Sequence, residues 1–404
     1  MESAPALARS LRNSQFLRAV LLLWIAGGGL RITILAVPPL IRLIHDDLAL
    51  TETEVGILSG LPPVLFAVAA VAGSLLIVRF GAVPAVTAGL FATAAGCALR
   101  GVAPDFGVLC AATVLAGLGV AVMQPAMPAL VRAWLPRHIG FGTAVWTNGL
   151  VVGEILPIAL TLPFVLPLTG DSWRLAFVVW ALPAAAVGLV FLRAVPVADA
   201  ATGGAPKPAL RFMPDWRSPV IWRLGLMLGA TNATYFSTNA FIPDYLHHIG
   251  ETGLIGPALS ALNIGQLPAS FALVAVADRV TGRAWPYAAC GALSLACVAG
   301  ILAGNGVVVV AAAGLLGCSC AATLILLLTL PALVTAPADT ARMTAGVLTI
   351  SYTCAVIVPV VSGLAWDASG IPALAFVPIG VCNFLLTGLA STIPATLKGR
   401  SHAP

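Results

Sequence analysis

The sequence predicts an all-α membrane protein, built as twelve transmembrane helices in two pseudo-symmetric six-helix bundles. Three observations carry that expectation: an apolar composition, a series of charge-free runs long enough to span a bilayer, and short segments that recur in order in the two halves. Of 404 residues, 60% are hydrophobic and 9% are charged, against roughly a quarter charged in soluble domains. Mean hydropathy is +1.03. Twenty basic and fifteen acidic side chains cannot cover the surface of a water-soluble chain of this length. A soluble enzyme, a disordered chain, a disulfide scaffold and a nucleic-acid binder are thereby excluded. The apolar runs are continuous rather than alternating, which argues against a β-barrel.

A spanning helix needs about 20 apolar residues, and the elements follow in order. The first, over 16–44, is apolar except for Arg31. The second, 54–78, rests on the uncharged run Val55–Val78, the third, 83–101, on Phe80–Leu99, and the fourth, 106–131, on Phe106–Val131. The fifth, 139–168, is apolar except for Glu154. The sixth, 173–195, contains Leu175–Leu192, the seventh, 219–247, contains Leu224–Pro243, and the eighth, 254–277, lies in Thr252–Ala277. The run Ala284–Ala338 is 55 residues long, too long for one helix, and Gly304-Asn305-Gly306 marks a turn within it. It supplies the ninth and tenth helices, 284–303 and 306–334. The eleventh, 341–366, and twelfth, 371–394, rest on Met343–Trp366 and Ala368–Leu397.

Charge placement orients these helices. With the N-terminus in the cytoplasm, sixteen Lys and Arg fall in cytoplasmic segments and three, Arg42, Arg100 and Arg174, in outer loops. That bias predicts both termini inside, in a bacterial-type inner membrane. The segment preceding the first helix is not read as a cleavable signal, since its apolar run is long and no small-residue cleavage site follows. Pro196–Arg217, with Gly203-Gly204 and four prolines, reads as a linker. The expected organisation is a cytoplasmic N-terminus (1–15), an N-terminal bundle (16–195), a linker (196–217), a C-terminal bundle (218–394) and a cytoplasmic tail (395–404).

All eight cysteines fall in helical stretches, where they read as small packing residues. There is no CxxC pair, no Walker lysine motif, no catalytic triad and no metal-ligand spacing in the sequence. No cofactor, metal or catalytic residue is expected.

The halves repeat. Pro128-Ala129-Leu130-Val131 ends the fourth helix and Pro331-Ala332-Leu333-Val334 the tenth; Leu175-Ala176-Phe177-Val178 opens the sixth and Leu374-Ala375-Phe376-Val377 the twelfth. Two matches in one order, at corresponding element ends, indicate a parallel six-helix repeat. Ala277-Asp278-Arg279-Val280-Thr281-Gly282-Arg283 after the eighth helix and Gly73-Ser74-Leu75-Leu76-Ile77-Val78-Arg79-Phe80-Gly81 after the second resemble the motif that major facilitator transporters carry at both places. The second-helix copy lacks its acidic residue. The resemblance implies a gating latch at Arg79, Asp278, Arg279 and Arg283, in which Asp278 pairs with basic groups or helix ends; an ordinary charged loop is the plain alternative. Gly27-Gly28-Gly29-Leu30-Arg31 through Val37-Pro38-Pro39-Leu40, with Glu54-Val55-Gly56-Ile57-Leu58-Ser59-Gly60-Leu61-Pro62, resembles the first two helices of the cyanate/nitroimidazole transporter family (CynX/NimT).

Arg31 lies about half-way across its helix, or a little beyond, at roughly 1.5 Å per residue. A mid-membrane guanidinium costs about 2.5–3.5 kcal/mol or more and needs compensation. That compensation is either a permanent acidic partner or an anionic substrate, which its planar fork suits. Trp24 shares its helix face, where it either stacks on substrate or faces core or lipid. Glu154 is the only acid read as intramembrane, Glu54 and Asp244 standing at span ends, and it lies at a depth matching Arg31; the resemblance places helices one and five close together. Glu154 is thus a counter-ion for Arg31, a proton-coupling carboxylate or a direct substrate contact. Asn232, Tyr235 and Asn239 form one polar face on helix seven, and Asn263, Gln266 and Ser270 another on helix eight. Helix four offers Gln124 and helix eleven Ser351-Tyr352. Such groups avoid lipid, either lining a path or bonding between helices. Because helices one, four, seven and ten line the cavity in the superfamily, Gln124, Tyr235 and Asn239 rank above the rest.

The expected function is secondary transport of a small anion or compact polar solute, cyanate-like, by alternating access, without enzymatic activity. The chain is expected to act as a monomer whose partners are its small-molecule substrate and the bilayer, with no nucleic acid. Proton-driven efflux of drug-like compounds through Glu154 is the alternative. A non-transporting receptor and an integral membrane enzyme are disfavoured.

Overall fold

The computed structural model describes residues 4–194, 212–303 and 306–393, among which every regular element is helical. Most of the expected linker (196–211), the Gly304-Asn305 part of the turn and the expected tail (395–404) lie outside the described residues.

The chain runs through α1 (Ala4–Gly29), α2 (Ile41–Leu48), α3 (Glu52–Phe80), α4 (Ala82–Arg100), α5 (Phe106–Trp134), α6 (Ile139–Leu160), α7 (Leu166–Leu168) and α8 (Trp173–Ala194). It continues through α9 (Pro219–His248), α10 (Ile255–Ile264), α11 (Gln266–Val280), α12 (Trp285–Leu302), α13 (Gly306–Val334), α14 (Thr340–Ser369) and α15 (Val377–Leu389). Local chemistry sets several of the ends. Thr51 and Glu54 form a capping box at the start of α3, with the Thr51 N–H donating to the Glu54 carboxylate at 2.8 Å. Asp105 caps α5 by accepting from the Val108 N–H at 2.9 Å.

Ten helices among the described residues are long and apolar enough to cross a membrane. The expected first and seventh spans are the two that fall short, for different reasons. The apolar helix at the start is only Ser14–Gly29, because the expected continuous helix over 16–44 is broken. Residues 30–37 form turns, and a 3₁₀ turn at Pro38–Leu40 leads into α2. Pro38 and Pro39 supply no N–H to the Ile34 and Leu35 carbonyls, which weakens the helix here, although α3 runs unbroken through the pair Pro62-Pro63. α9 is thirty residues long, but its polar face, Asn232, Tyr235 and Asn239 with Thr231, Thr234, Ser237 and Thr238, lowers its hydropathy. The eighth span is likewise two pieces, α10 and α11, meeting at Gly265, where Pro268 has no N–H for the Ile264 carbonyl. The fifth continues from α6 through a π-turn at Thr161–Val165 into α7.

Packing repeats between the halves. α4 lies on α5 and α8 as α12 lies on α13 and α15; α1 lies on α6 as α9 lies on α14. The halves meet through two related contacts, α3 with α14 and α6 with α11. Polar links between halves occur at the centre and at the end of the bundle where α6 and α9 begin. There Arg132 donates to the Ala332 and Thr335 carbonyls and Asp278 accepts from the Phe141 N–H at 3.0 Å, while the Ser74 hydroxyl ties the end of the linker by donating to the Phe212 carbonyl at 2.7 Å. The three arginines assigned to outer loops from sequence all lie in helices: Arg42 in α2, Arg174 in the first turn of α8, and Arg100 at the end of α4, where its side chain is fully buried.

Candidate functional site

The centre is built by a close approach of two backbones. Gly149 and Gly153, one turn apart on α6, face the Trp24 and Gly28 backbone of α1, and Gly27 of α1 faces the backbone of Trp146 and Leu150. A Cβ on Gly153 would come within 2.8 Å of the Gly28 Cα, and one on Gly149 within 2.9 Å of the Trp24 carbonyl carbon. Small residues on both sides allow this contact, which side-chain packing in a membrane otherwise forbids. The next residue on α6 is Glu154, and just past the end of α1 comes Arg31, so the glycine seam brings the two charges together. Arg31 Nε lies 3.4 Å from Glu154 Oε1, with side chains 11% and 12% exposed. The contact is one of charge rather than an aligned hydrogen bond, for the buried Nε makes no hydrogen bond.

Further groups converge on the guanidinium from other helices. Arg31 Nη2 donates to the Tyr352 hydroxyl of α14 at 3.1 Å. Gln124 of α5 holds the same hydroxyl, its Nε2 at 2.9 Å and Oε1 at 3.2 Å. The Phe66 ring of α3 lies 5.4 Å from Arg31 Cζ and packs edge-on against Tyr352 at 5.1 Å, a cation–π arrangement. One phenol hydroxyl therefore ties a cation of the first half to the second half.

A cavity of about 30 Å³ opens beside the ion pair, lined by Arg31, Leu150 and Glu154 from the first half and by Thr231, Asn232, Tyr235, Phe236, Gln266, Cys320 and Leu324 from the second. From it a hydrogen-bonded chain leads along α9 and α10. Gln266 donates to the Tyr235 hydroxyl (3.2 Å), which donates to Asn263 Oδ1 (2.5 Å), and Asn263 Nδ2 donates to Asn239 Oδ1 (3.1 Å). Asn232 is tied to Ser351 at 2.9 Å.

The residues singled out from sequence thus fall into three places. Arg31, Glu154, Gln124 and Tyr235 meet at the centre, and Asn239 ends the chain leading from it. Trp24 does not line the cavity; its indole N–H donates to Asn148 at 2.8 Å, and Asn148 in turn donates to Ser270 across the halves at 2.9 Å. The four residues of the motif lie at the end of the bundle. Asp278 sits at the start of α6 in the opposite half, accepting from Phe141 N–H and lying 3.6 Å from His138 Nδ1, where a carboxylate suits a helix N-terminus. Gly140 leaves room for that approach. Arg79, Arg279 and Arg283 are exposed, and Arg79 lies over Phe80 at 5.3 Å. Sequence reasoning ranked Tyr352 too low and passed over Phe66. Tyr352 was visible as a polar residue in an apolar helix, but nothing in the spacing of Phe66 separates it from lipid-facing phenylalanines.

The sequence model of the Major Facilitator Superfamily matches residues 19–262. The chain is 26% identical over 277 residues to an uncharacterized transporter, YycB, of Bacillus subtilis (strain 168), covering 68% of each chain. It is 25% identical over 259 residues to the cyanate transport protein CynX of Escherichia coli (strain K12), 64% of this chain and 66% of that one. It is 27% identical over 220 residues to a 2-nitroimidazole transporter of the same organism, 54% of each. In fold it is similar to the crystal structure of the transporter FucP in the outward conformation, with a TM-score of 0.72 at 13% identity, covering 94% of this chain and 99% of that one.

Proposed function

This chain belongs to the Major Facilitator Superfamily, and from that premise we propose that it carries a small anion or compact polar solute of the cyanate class across an inner membrane by alternating access. The observation that supports this most directly is the buried Arg31 Nε, which faces a central cavity, makes no hydrogen bond and shares its charge with Glu154. A guanidinium edge with an unused N–H is a receptor for a small anion. The cavity also limits size: roughly 10–15 Å³ admits one water-sized sphere, so about 30 Å³ suits an ion of two or three heavy atoms.

Electrostatics then assigns a role to Glu154. The site holds one cation and one carboxylate, and an arriving anion would leave it with a net negative charge in a low-dielectric setting. Proton uptake by the displaced carboxylate restores neutrality. The reading is therefore anion and proton together, with Arg31 as receptor, Glu154 as competitor and proton carrier, and Tyr352, Gln124, Tyr235 and Gln266 as the polar frame. Asp278 at the start of α6 acts as a latch that holds one end closed. Both termini face the cytoplasm, and bundles 16–195 and 218–394 rock about the site as a monomer.

The test is a thermal-shift titration of the purified protein with sodium cyanate, with sodium gluconate as the ionic control and 2-nitroimidazole as the competitor reading. Ligands that bind the folded state raise the melting temperature by mass action. Stabilisation by cyanate is the expected result. Stabilisation by 2-nitroimidazole alone would favour proton-coupled efflux of drug-like compounds, which the resemblance to the 2-nitroimidazole transporter supports.

A further inference from the structure

Arg100 is a fully buried cation that the transport site does not use. In a continuous helix the Thr33 carbonyl would accept from the Val37 N–H four residues on. Pro38 prevents this indirectly. Having no N–H, it leaves the Ile34 carbonyl without its helical donor. The Val37 N–H turns to that carbonyl instead, at 3.4 Å, and the Thr33 carbonyl is released. Within a membrane a released carbonyl must find its partner inside the protein. Here it finds Arg100: Nη1 donates to the Thr33 carbonyl at 2.7 Å, and Nε donates to the Thr113 hydroxyl at 3.0 Å.

The rest of the environment of Arg100 explains little of its presence. Among the described residues no carboxylate forms an ion pair with it, and its Nη2 has no hydrogen-bond partner. The Phe177 ring lies 5.7 Å from Cζ. A buried charge without a counter-ion is strongly unfavourable, so the two hydrogen bonds it does make carry weight. The one to Thr33 falls two residues after Arg31, inside the break that aims Arg31 at the cavity.

We propose that Arg100 is a positioning residue for Arg31: it holds the Thr33 carbonyl that Pro38 releases and so fixes the break in the first span. The consequence for anion affinity rests on the anion-site reading above; the role in holding the break does not.

A double-mutant cycle separates the two. Melting temperatures are measured without ligand, in one detergent, for wild type, Arg100→Met, Pro38→Ala and the double variant. Pro38→Ala restores an N–H for the Ile34 carbonyl and frees Val37 N–H for Thr33. Arg100→Met is therefore expected to lower the melting temperature by several degrees in the wild-type background and by less than half as much beside Pro38→Ala. Equal losses in both backgrounds would mean general packing and would overturn the proposal. Should Arg100→Met alone yield no folded protein, folded protein from the double variant is the expected result, and its absence overturns the proposal. Cyanate affinity forms the second arm: Arg100→Lys keeps it within about threefold and Arg100→Met loses about tenfold or more, the smaller change reflecting a retained cationic donor. Wild-type affinity in a stable Arg100→Met would overturn the positioning role. If the wild type itself binds no cyanate, the anion-site reading fails, while the melting cycle still decides what Arg100 does.

Discussion

Replacing Glu154 by Gln removes one charge from the centre while keeping the side chain's shape. At 3.4 Å, two unit charges at an effective dielectric of about 20 interact by about 4–5 kcal/mol. Removing one side of a buried pair generally destabilises by about 3–5 kcal/mol. Part of this is offset here, because the Tyr352 hydroxyl at 3.1 Å and the Phe66 ring at 5.4 Å still face the guanidinium; a cation–π contact contributes about 0.5–2 kcal/mol. The anion-free variant is thus expected to be less stable than wild type by about 2–4 kcal/mol. Bound cyanate should restore that loss, since it supplies the missing charge. Binding is then measured at several pH values. In the wild type each anion brings one proton, so affinity rises as pH falls, by up to about tenfold per pH unit. In Glu154→Gln the competitor is neutral and the proton has no carboxylate to go to, so affinity is higher and flat with pH. The assay is cyanate titration by thermal shift and by calorimetry, on both proteins, from mildly acidic to mildly basic buffer. A variant of normal stability whose pH profile matches the wild type would refute both the pairing and the coupling.

Other perturbations follow from the same geometry. Arg31→Lys keeps the charge but loses the planar fork, and is expected to weaken cyanate binding about tenfold or more; unchanged binding in Arg31→Lys and Arg31→Ala would exclude Arg31 as the receptor. Tyr352→Phe removes the hydroxyl shared by Arg31 and Gln124 and should cost about 1.5–3 kcal/mol, read as a lower melting temperature; a neutral effect would show that the hydroxyl bears no load between the halves. Gly153→Ala should destabilise markedly because its Cβ meets the Gly28 backbone, whereas Gly28→Ala, whose nearest contact is 3.5 Å, should be tolerated. Equal melting temperatures for those two variants would count against the glycine seam. For topology, a cysteine at the exposed Asp171 should label with an impermeant thiol reagent in intact cells and one at the exposed Arg137 should not; the reverse pattern would invert the orientation.

The spans were legible because lipid imposes a local requirement. Each backbone group crossing the bilayer must be satisfied within its own helix, so a charge-free run of about 20 residues is already a structural statement. Hydropathy alone nonetheless undercounts the first and seventh spans, since both depart from plain apolar helix at the places that serve the site. α1 stops at Gly29 and gives way to turns ahead of its proline pair, and α9 carries polar groups toward the cavity. Arg31 and Glu154 were legible for the same reason, as charges that a membrane does not accept without cause. The depth match between them followed from counting residues along two parallel helices.

What the linear chain does not contain is which side chains meet. Tyr352 lies 321 residues from Arg31 and 228 from Gln124, and their contact depends on how two six-helix bodies are placed against each other. Phe66 enters the site only because α3 packs on α14. Arg100 looked like a loop charge because it ends its helix, and only the fold turns it inward to Thr33. Sequence determined the helices, since their hydrogen bonds are local and their solvent is lipid. Tertiary structure decided which side chains meet at the site, since cross-half packing leaves no periodic trace in the chain, whereas the backbone approach at Gly149 and Gly153 is written in their Gly-x-x-x-Gly spacing.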